Sequence, residues 1–537
     1  MTSPASFDGT EPAQQVELPG IPQPGWNWRA VCSLAALVAV VETLALSYPL
    51  VPMAEPAITA HFDTTQAGWV MTSFLLVGAA TAPLLGKLAD LHGKRRILLS
   101  CLALSAAGAL MSALAPSFAM LLAGRCLFGL LVPCLFLSYS LVRDVFPPRT
   151  IALAVSIVTS AVGLAAIPAP YLTERLLDDH GYRTVFGFFF LVTALAAVAV
   201  AVTTRESTVR LPVRVGVRGA ALLGLGLVIV LVGVSQGPAW GWVTPSTLAC
   251  LGAGVALIVA WLATAARTGD AMIDIRLWRR RPVLLTVLAA GCVYAATGLY
   301  AMVLPMLIRT PAMLGLGYGF GVTPKGVAEY LVPIGLLSVV GGIAVGVLAG
   351  RRLIRPGLLL ALGMLSTALG SVLTAYSHDS KDLLLLFAGL VGLGAGLAYA
   401  ATPNLLIAAV PPGVQASTAA LVSVCQIVIP AIAPIIAFSI MNGSHVAQLP
   451  PMITRMLNGA VVYTEGGLKI GFLIAAAIAL AGLLFALLLP RTIEQVSIGA
   501  IAPEAAAPEP ATPESAAAGA ATPEPAAVEP ATPEPAG

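Results

Sequence analysis

Residues 86–99 read GKLADLHGKRRILL. Two apolar runs, 67–86 and 97–115, flank this short charged break. Each is long enough to cross hydrocarbon as a helix, which takes about 20 residues. Gly86 and Gly93 let the two helix ends approach closely. Asp90 can accept hydrogen bonds at a helix N-terminus, where the dipole favours an anion. Lys94, Arg95 and Arg96 can pair with a nearby carboxylate, and Asp144 in RDVFPPR is the candidate. Topogenic charge alone would explain the KRR run but not the GxLADxxG frame before it. These seven residues therefore read as a conformational latch built on charge pairs at helix termini.

Working outward on the same scale gives fourteen membrane spans. Their limits are 30–53, 67–86, 97–115, 118–142, 150–172, 184–203, 219–236, 246–266, 282–307, 326–349, 357–376, 383–408, 414–440 and 467–490. Such close spacing leaves no room for a folded soluble domain, so the fold class is an all-α membrane protein. Composition agrees. Of 537 residues, 58% are hydrophobic and 10% charged, against roughly 25% charged in a soluble domain. Mean hydropathy is +0.93. A soluble enzyme so poor in charge could not cover its surface. With 28 Lys+Arg against 25 Asp+Glu and no dense basic face, a nucleic-acid partner is not expected.

The seven cysteines lie in apolar runs without a CxxC pair, and the five histidines fall in or beside polar breaks without HExxH spacing. Neither a disulfide framework, a metal nor another cofactor is expected. No GxxxxGK[ST] phosphate loop supports ATP-driven transport. Residues 1–28 are polar and lack the basic lead-in of a cleavable leader. Residues 491–537 are Ala, Pro, Glu and Thr, with ATPES, ATPEP and ATPEP starting at Ala511, Ala521 and Ala531. Both ends read as disordered. With the N-terminus in the cytoplasm, 20 of the 28 basic residues fall on the cytoplasmic side and seven outside, with Arg125 in the membrane. That bias places both termini in the cytoplasm. The Ala-rich body and Ala-Pro-Glu tail suit a high-GC bacterium, hence its inner membrane.

Two charges inside the membrane stand out. Glu42, in VAVVETLALSYPLVP, is at the middle of span 1, and Arg125 is in span 4. An ionised side chain at the bilayer centre costs about 2.5–3.5 kcal/mol or more, so it faces a cavity, a partner, or both. Glu42 is the one carboxylate near mid-membrane. It reads as a proton carrier, with a permanent Glu42–Arg125 pair as the structural alternative. Tyr48, Tyr139, Tyr294, Tyr300, Tyr399, Asn404 and Gln426 are the polar candidates for a cavity lining; each suits packing as well. So few polar groups point to a small amphipathic substrate.

The 86–99 stretch resembles the signature loop of the major facilitator superfamily. LAGRCLFG resembles its membrane Arg motif, with Arg125 and Gly129 in place and Phe128 where Gln is usual. GYRTVF at 181–186 is similar to the segment before helix 6. GPAWGW at 237–242 and IDIRLWRRRP at 273–282 look like the linker of the 14-span drug:proton antiporter branch. The resemblance implies two six-helix halves, 29–203 and 282–490, with two inserted helices in 204–281. The halves repeat: GKLADLHGKRR from Gly86 matches GVLAGRRLIRP from Gly346, with Gly350 replacing Asp90. Duplicated halves place a substrate site near the midplane, between them.

The antiporter pattern in helix 5 is kept only in part. GLAAIPAPYL, 163–172, has Gly163 and Pro168 but Ile167, Tyr171 and Leu172 at other positions, and Pro168 and Pro170 are expected to bend the helix. The resemblance implies a monomeric secondary transporter exchanging protons for drug-like, lipid-like or other amphipathic compounds across the lipid bilayer. The alternative is a non-transporting receptor or scaffold that recruits partners through its acidic tail.

Overall fold

The computed structural model describes residues 26–64, 66–207, 217–267, 281–323, 326–410, 415–446 and 462–490. Residues 1–25, most of the basic stretch 273–282 and the repeat tail 491–537 lie outside the described residues. The first part of the chain forms α1 Trp28–Phe62, α2 Trp69–His92, α3 Lys94–Ala113, α4 Phe118–Phe128 and α5 Cys134–Val145. It continues through α6 Pro148–Ser160, α7 Ala169–His180 and α8 Tyr182–Thr203. The inserted pair is α9 Val217–Trp240 and α10 Pro245–Arg267. The last part is α11 Arg281–Arg309, α12 Val327–Gly350, α13 Pro356–Tyr376, α14 Lys381–Ala409, α15 Gln415–Met441 and α16 Glu465–Leu487. Among the described residues, fourteen spans are long and apolar enough to cross a membrane, with α4 and α5 joined as one span, Phe118–Val145. The chain is an all-α, multi-pass membrane protein.

Three local details depart from the spans read in the sequence. Helix α1 runs 35 residues and carries Pro49, Pro52 and Pro56 inside it, nine residues past the expected end at 53. Spacings of three and four put these prolines on one face, where Pro52 and Pro56 are exposed. The missing N–H groups are thus confined to one side, which a membrane helix tolerates. Second, the polar break after Gly86 is mostly helix. Helix α2 continues to His92, and Gly93 alone, at φ +109°, joins it to α3. That region of backbone space is open to glycine and strained for other residues. Third, span 5 breaks rather than bends. After Ser160 the chain tightens into a 3-10 segment, Ala161–Ala166, before α7 begins at Ala169. The ring of Pro168 obstructs the carbonyl of residue 164, so the α-helical ladder gives out in the preceding turn. Pro170 falls in the first turn of α7, where a missing N–H costs nothing.

The spans alternate in direction between two ends. One end holds the Gly93 connection, the Arg351–Arg355 connection and the starts of α1, α9 and α11; it is called the basic end below. Helices α1–α8 form one bundle and α11–α16 another, meeting along two seams, α2 with α15 and α6 with α12. Helix α9 packs on α10 and α2 and touches α15. At the basic end the core is shared: Val283, Val287, Leu406, Ala409, Val410 and Val422 of the second bundle pack into the first bundle's core. Toward the opposite end, the second bundle's core around Tyr300, Tyr330 and Phe472 contains no described residue of the first.

Glycine sets the closest crossings. Lipid is as apolar as leucine, so membrane helices gain from close backbone approach at small residues. Gly392 and Gly396 of α14 lie directly over α12. A Cβ at 392 would stand 2.3 Å from the carbonyl oxygen of Ile334, and one at 396 only 1.8 Å from that of Ser338. Gly252 on α10 has nothing within 4 Å. Gly396→Ala is therefore expected to lower stability by about 1–3 kcal/mol, the usual range for overpacking. Gly252→Ala should be neutral or slightly stabilising, as Ala is the better helix former. Thermal unfolding of both variants in detergent checks this, and equal midpoints would show that the α12–α14 crossing relaxes freely.

Candidate functional site

The turn at Gly93 is held by carboxylates from elsewhere in the first bundle. Lys94 Nζ lies 2.7 Å from Asp144 Oδ2, with both side chains inaccessible to solvent. The Ser207 hydroxyl donates to the same carboxylate. The free amides in the first turn of α3 have one acceptor group: Arg95 N donates to Glu206 Oε1 at 3.0 Å and Arg96 N to Glu206 Oε2 at 3.1 Å. A carboxylate there satisfies two orphan donors and meets the positive end of the helix dipole. The Arg95 guanidinium donates to the carbonyl of Ala201. Gly86, Lys87 and Asp90 are buried beside this turn. A Cβ on Gly93 would come within 2.8 Å of the Glu206 carboxylate. Glycine is thus required both by φ and by the capping group.

The Gly86–Gly346 match sets a repeat offset of 260 residues (346 − 86). Applied to the latch, it pairs Asp90 with Gly350, Lys94 with Ile354 and Asp144 with Asn404. In the second bundle Asp90, Lys94 and Asp144 all have uncharged counterparts, while Arg95 keeps its charge as Arg355. Asn404, expected from the sequence to line the cavity, does something else. It is buried, and its Nδ2 donates to Ser156 Oγ across the bundle interface at 3.0 Å and to the carbonyl of Ala400 at 2.7 Å. A second bond between the bundles runs from Arg143 Nη1 to the carbonyl of Val410, 2.8 Å.

Glu42 and Arg125 are not partners, contrary to the paired alternative. Arg125 is fully buried; its Nε donates to the carbonyl of Val70 at 3.0 Å, and its guanidinium carbon sits 4.7 Å from the ring centre of Phe74, 5.1 Å from Phe128 and 5.8 Å from Phe186. Such cation–π contacts contribute about 0.5–2 kcal/mol each when desolvated. Depth explains the separation. At about 1.5 Å per residue, Arg125 is roughly 30 Å from the basic end of its span (145 − 125 residues). Glu42 is only about 21 Å from the start of α1 (42 − 28 residues). Glu42 also faces away from α8. Ser33, nine residues earlier and so half a turn opposite at 100° per residue, bonds to Thr204 beside that helix. Glu42 is half-buried, and its Oε1 is buried with no hydrogen-bond partner.

A cavity with about 280 Å³ of empty space, its mouth included, lies between the bundles. Tyr139, Tyr294, Tyr399 and Gln426 line it, as expected, together with Thr159, Thr402 and apolar groups. Tyr294 and Tyr399 are packed with ring centres 4.6 Å apart, and the Tyr399 hydroxyl bonds to Thr297 at 2.6 Å. Tyr48 is not in this lining but is 41% exposed and within electrostatic range of Tyr294 and Tyr399. An exposed residue this far inside the bundles places open space on the side away from the basic end. Tyr300 is a core residue instead: it is 1% exposed, bonded to Thr374 and packed against Phe472. Gly163 abuts Ser338 of α12, where a Cβ would approach within 2.7 Å, so the span 5 break lies on a bundle seam.

Sequence reasoning missed Glu206, the Phe74–Phe186 cage, Ser156 and Arg143's reach to Val410. Glu206 had one available signal, a lone acid among basic residues just after span 6. The others depend on contacts between distant segments.

The profile of the Major Facilitator Superfamily matches residues 31–434. The chain is 26% identical over 397 residues to the tetracenomycin C resistance and export protein of Streptomyces glaucescens, covering 73% of this chain and 72% of that one. It is 29% identical over 421 residues to the multidrug resistance protein Stp of Mycobacterium tuberculosis, covering 77% and 75%. Among solved structures, the human organic anion transporter MFSD10 (TETRAN) superposes with a TM-score of 0.58 at 18% identity, covering 85% of this chain and 98% of that one. That likeness is one of fold.

The buried latch generates a double-mutant test. Removing one member of a buried ion pair costs about 3–5 kcal/mol because the other charge stays buried, whereas replacing both is often near neutral. Lys94→Ile and Asp144→Asn should each be strongly destabilising. The double variant installs the residues found at the equivalent second-bundle positions, and should recover most of the loss. Thermal unfolding of all four proteins measures the coupling; additive losses would show that the pair contributes nothing as a pair.

Proposed function

This chain belongs to the major facilitator superfamily and is a membrane transporter rather than an enzyme; from that premise we propose that it exports small amphipathic compounds in exchange for protons. The observation that carries the proton step is Glu42. One of its carboxyl oxygens is buried deep in the bundle without a partner. Among the described residues no cation is bound to it, so its charge follows its access to water. A carboxyl that meets water from one side and then the other can load and release a proton as the bundles rock. Arg125 has a different role in this reading. Caged by three aromatic rings, it fixes α4 against α2 and α8 and leaves Glu42 free to titrate.

The sidedness rests on charge and the direction on the relatives. The 20-to-7 bias of basic residues supports a basic end in the cytoplasm. The shared core at that end then closes the cytoplasmic side, and the space beside Tyr48 opens outward. Rocking to the other state has to break the Asn404–Ser156 and Arg143–Val410 bonds. The latch at Gly93 sits inside the first bundle and stiffens it through that motion. The names of the bacterial relatives, which speak of drug resistance and export, favour outward transport of a drug-like cargo.

Glu42→Gln keeps size and hydrogen bonding but cannot ionise. It is expected to abolish proton movement on substrate addition to proteoliposomes while leaving substrate binding within about threefold (under roughly 0.7 kcal/mol). Glu42→Asp should retain part of the activity. Proton movement at the wild-type ratio in the Gln variant would show that another group carries the proton, with Glu55, the other carboxylate of α1, next to test. Tags on Met1 and Gly537 should both resist protease in intact cells; cleavage of either would reverse the sidedness.

A further inference from the structure

Arg125 is fully buried, and no carboxylate pairs with it among the described residues. A guanidinium has five N–H donors in a fixed fork and no acceptor. Arg125 uses one of them, at Nε, on the carbonyl of Val70. Nη1 and Nη2 are buried without a hydrogen-bond partner among the described residues. The rings of Phe74, Phe128 and Phe186 attract the charge, but N–H contacts to a ring face are second-order hydrogen bonds. A further unmatched donor lies close by. Ser73 sits on α2 between Val70 and Phe74, the two residues of that helix that hold Arg125. Its hydroxyl is buried and makes no hydrogen bond of ordinary geometry among the described residues. The Cys126 thiol is close enough to interact with both Ser73 and Arg125, and a thiol is a weak donor and a weak acceptor. The sequence accounts for the shortage of acceptors. Phe128 stands where the resembled family usually has Gln, so no amide oxygen is offered there.

We propose that Arg125 and Ser73 hold a small monovalent anion between α2 and α4, chloride in ordinary saline. The unmatched side-chain groups of this cluster are donors, and the cluster is cationic. A buried charge without a counter-charge is costly, and charge-assisted hydrogen bonds to an anion offset that cost. A halide is spherical and singly charged, so it neutralises the cluster and accepts from several directions at once. Sulfate would bring a second charge into the same low-dielectric surroundings without a second cation to meet it. The anion also has a route. Arg125 is seven residues into α4 (125 − 118), which at 1.5 Å per residue is about 10 Å from the end opposite the basic end. Tyr48 borders the open space on that side and packs edge-on against Phe74, with ring centres 6.2 Å apart. The Phe74 ring is thus the partition between that space and the guanidinium. The site is separate from Glu42 and from the cavity between the bundles, and it does not depend on the proton reading.

The test is thermal unfolding of the purified full-length protein in a non-ionic detergent, with sodium chloride replacing sodium gluconate at constant ionic strength. Equilibrium dialysis with radioactive chloride counts the bound ion. Chloride is expected to raise the unfolding midpoint by a few degrees and to saturate below about 100 mM, as a ligand of the folded state does. Dialysis should find about one saturable chloride per chain. Bromide should replace chloride, and sulfate should not. Ser73→Ala removes one neutral donor and should weaken chloride about three- to tenfold, the usual worth of one hydrogen bond. Phe128→Gln puts an amide oxygen one helical turn from Arg125 and should abolish the saturable shift, because the guanidinium then has an acceptor of its own. Absence of both bound chloride and a saturable shift would show that the rings and the Val70 carbonyl satisfy Arg125 alone, and overturns the proposal. Chloride affinity unchanged in both variants places the ion elsewhere and overturns the site. Sulfate that competes as well as bromide overturns the ligand class. Should Phe128→Gln not fold, Ser73→Ala decides by itself, and unchanged affinity in that variant overturns the site.

Discussion

Inside hydrocarbon, burying one apolar side chain against another gains little over leaving it in lipid. Everything that holds these helices together must come from close backbone approach, from polar groups that have no better partner, or from the ends, where water returns. The first of these is visible at Gly392 and Gly396, whose missing side chains let α14 rest on the backbone of α12. The same device recurs between the bundles, where Gly163 and Gly335 on one seam leave no room for a Cβ. Chain flexibility is not why these glycines matter. They set the distance at which dispersion and weak polar contacts begin to count.

The same constraint sorts the ionisable groups. Lys94 and Asp144 are dry and paired, at the depth where α3 begins. Arg125 is dry and has no carboxylate; aromatic faces and a backbone carbonyl take that place. Glu42 has neither. Arg125 is held by one carbonyl bond and three aromatic faces, whereas the buried Glu42 oxygen has no donor. These are three different solutions to one desolvation problem.

The broad fold was legible because membrane helices are read from length and hydropathy alone, and because the prolines extend α1 and break span 5 without changing the number of spans. The Gly93 turn was legible too, since Gly, Asp and the KRR run carry local chemistry. Four cavity residues, Tyr139, Tyr294, Tyr399 and Gln426, could be named because polar groups are scarce in these helices. What could not be read was which side of a helix faces which neighbour. Tyr300 and Tyr294 lie on the same helix, six residues apart, and one is core while the other lines the cavity. Glu206 was hidden for a related reason: it caps a helix that starts more than a hundred residues earlier, and nothing in the intervening chain records that meeting.

The distribution of bond strengths bears on how such a molecule can move. Within the first bundle, the turn is tied by a buried ion pair whose disruption costs several kcal/mol. Between the bundles at the basic end, the named polar links are an amide to a hydroxyl and a guanidinium to a backbone carbonyl. The neutral link is worth about 0.5–1.5 kcal/mol net, the charged one about 1.5–3. Both become replaceable by water if the interface parts. The absence of a counterpart to the Lys94–Asp144 pair in the second bundle fits this division. An aspartate at position 404 would bring a charge to the interface between bundles, where the asparagine makes a bond that can be given up. The bundles are therefore stiff units joined by weak contacts, which is what a change of face demands.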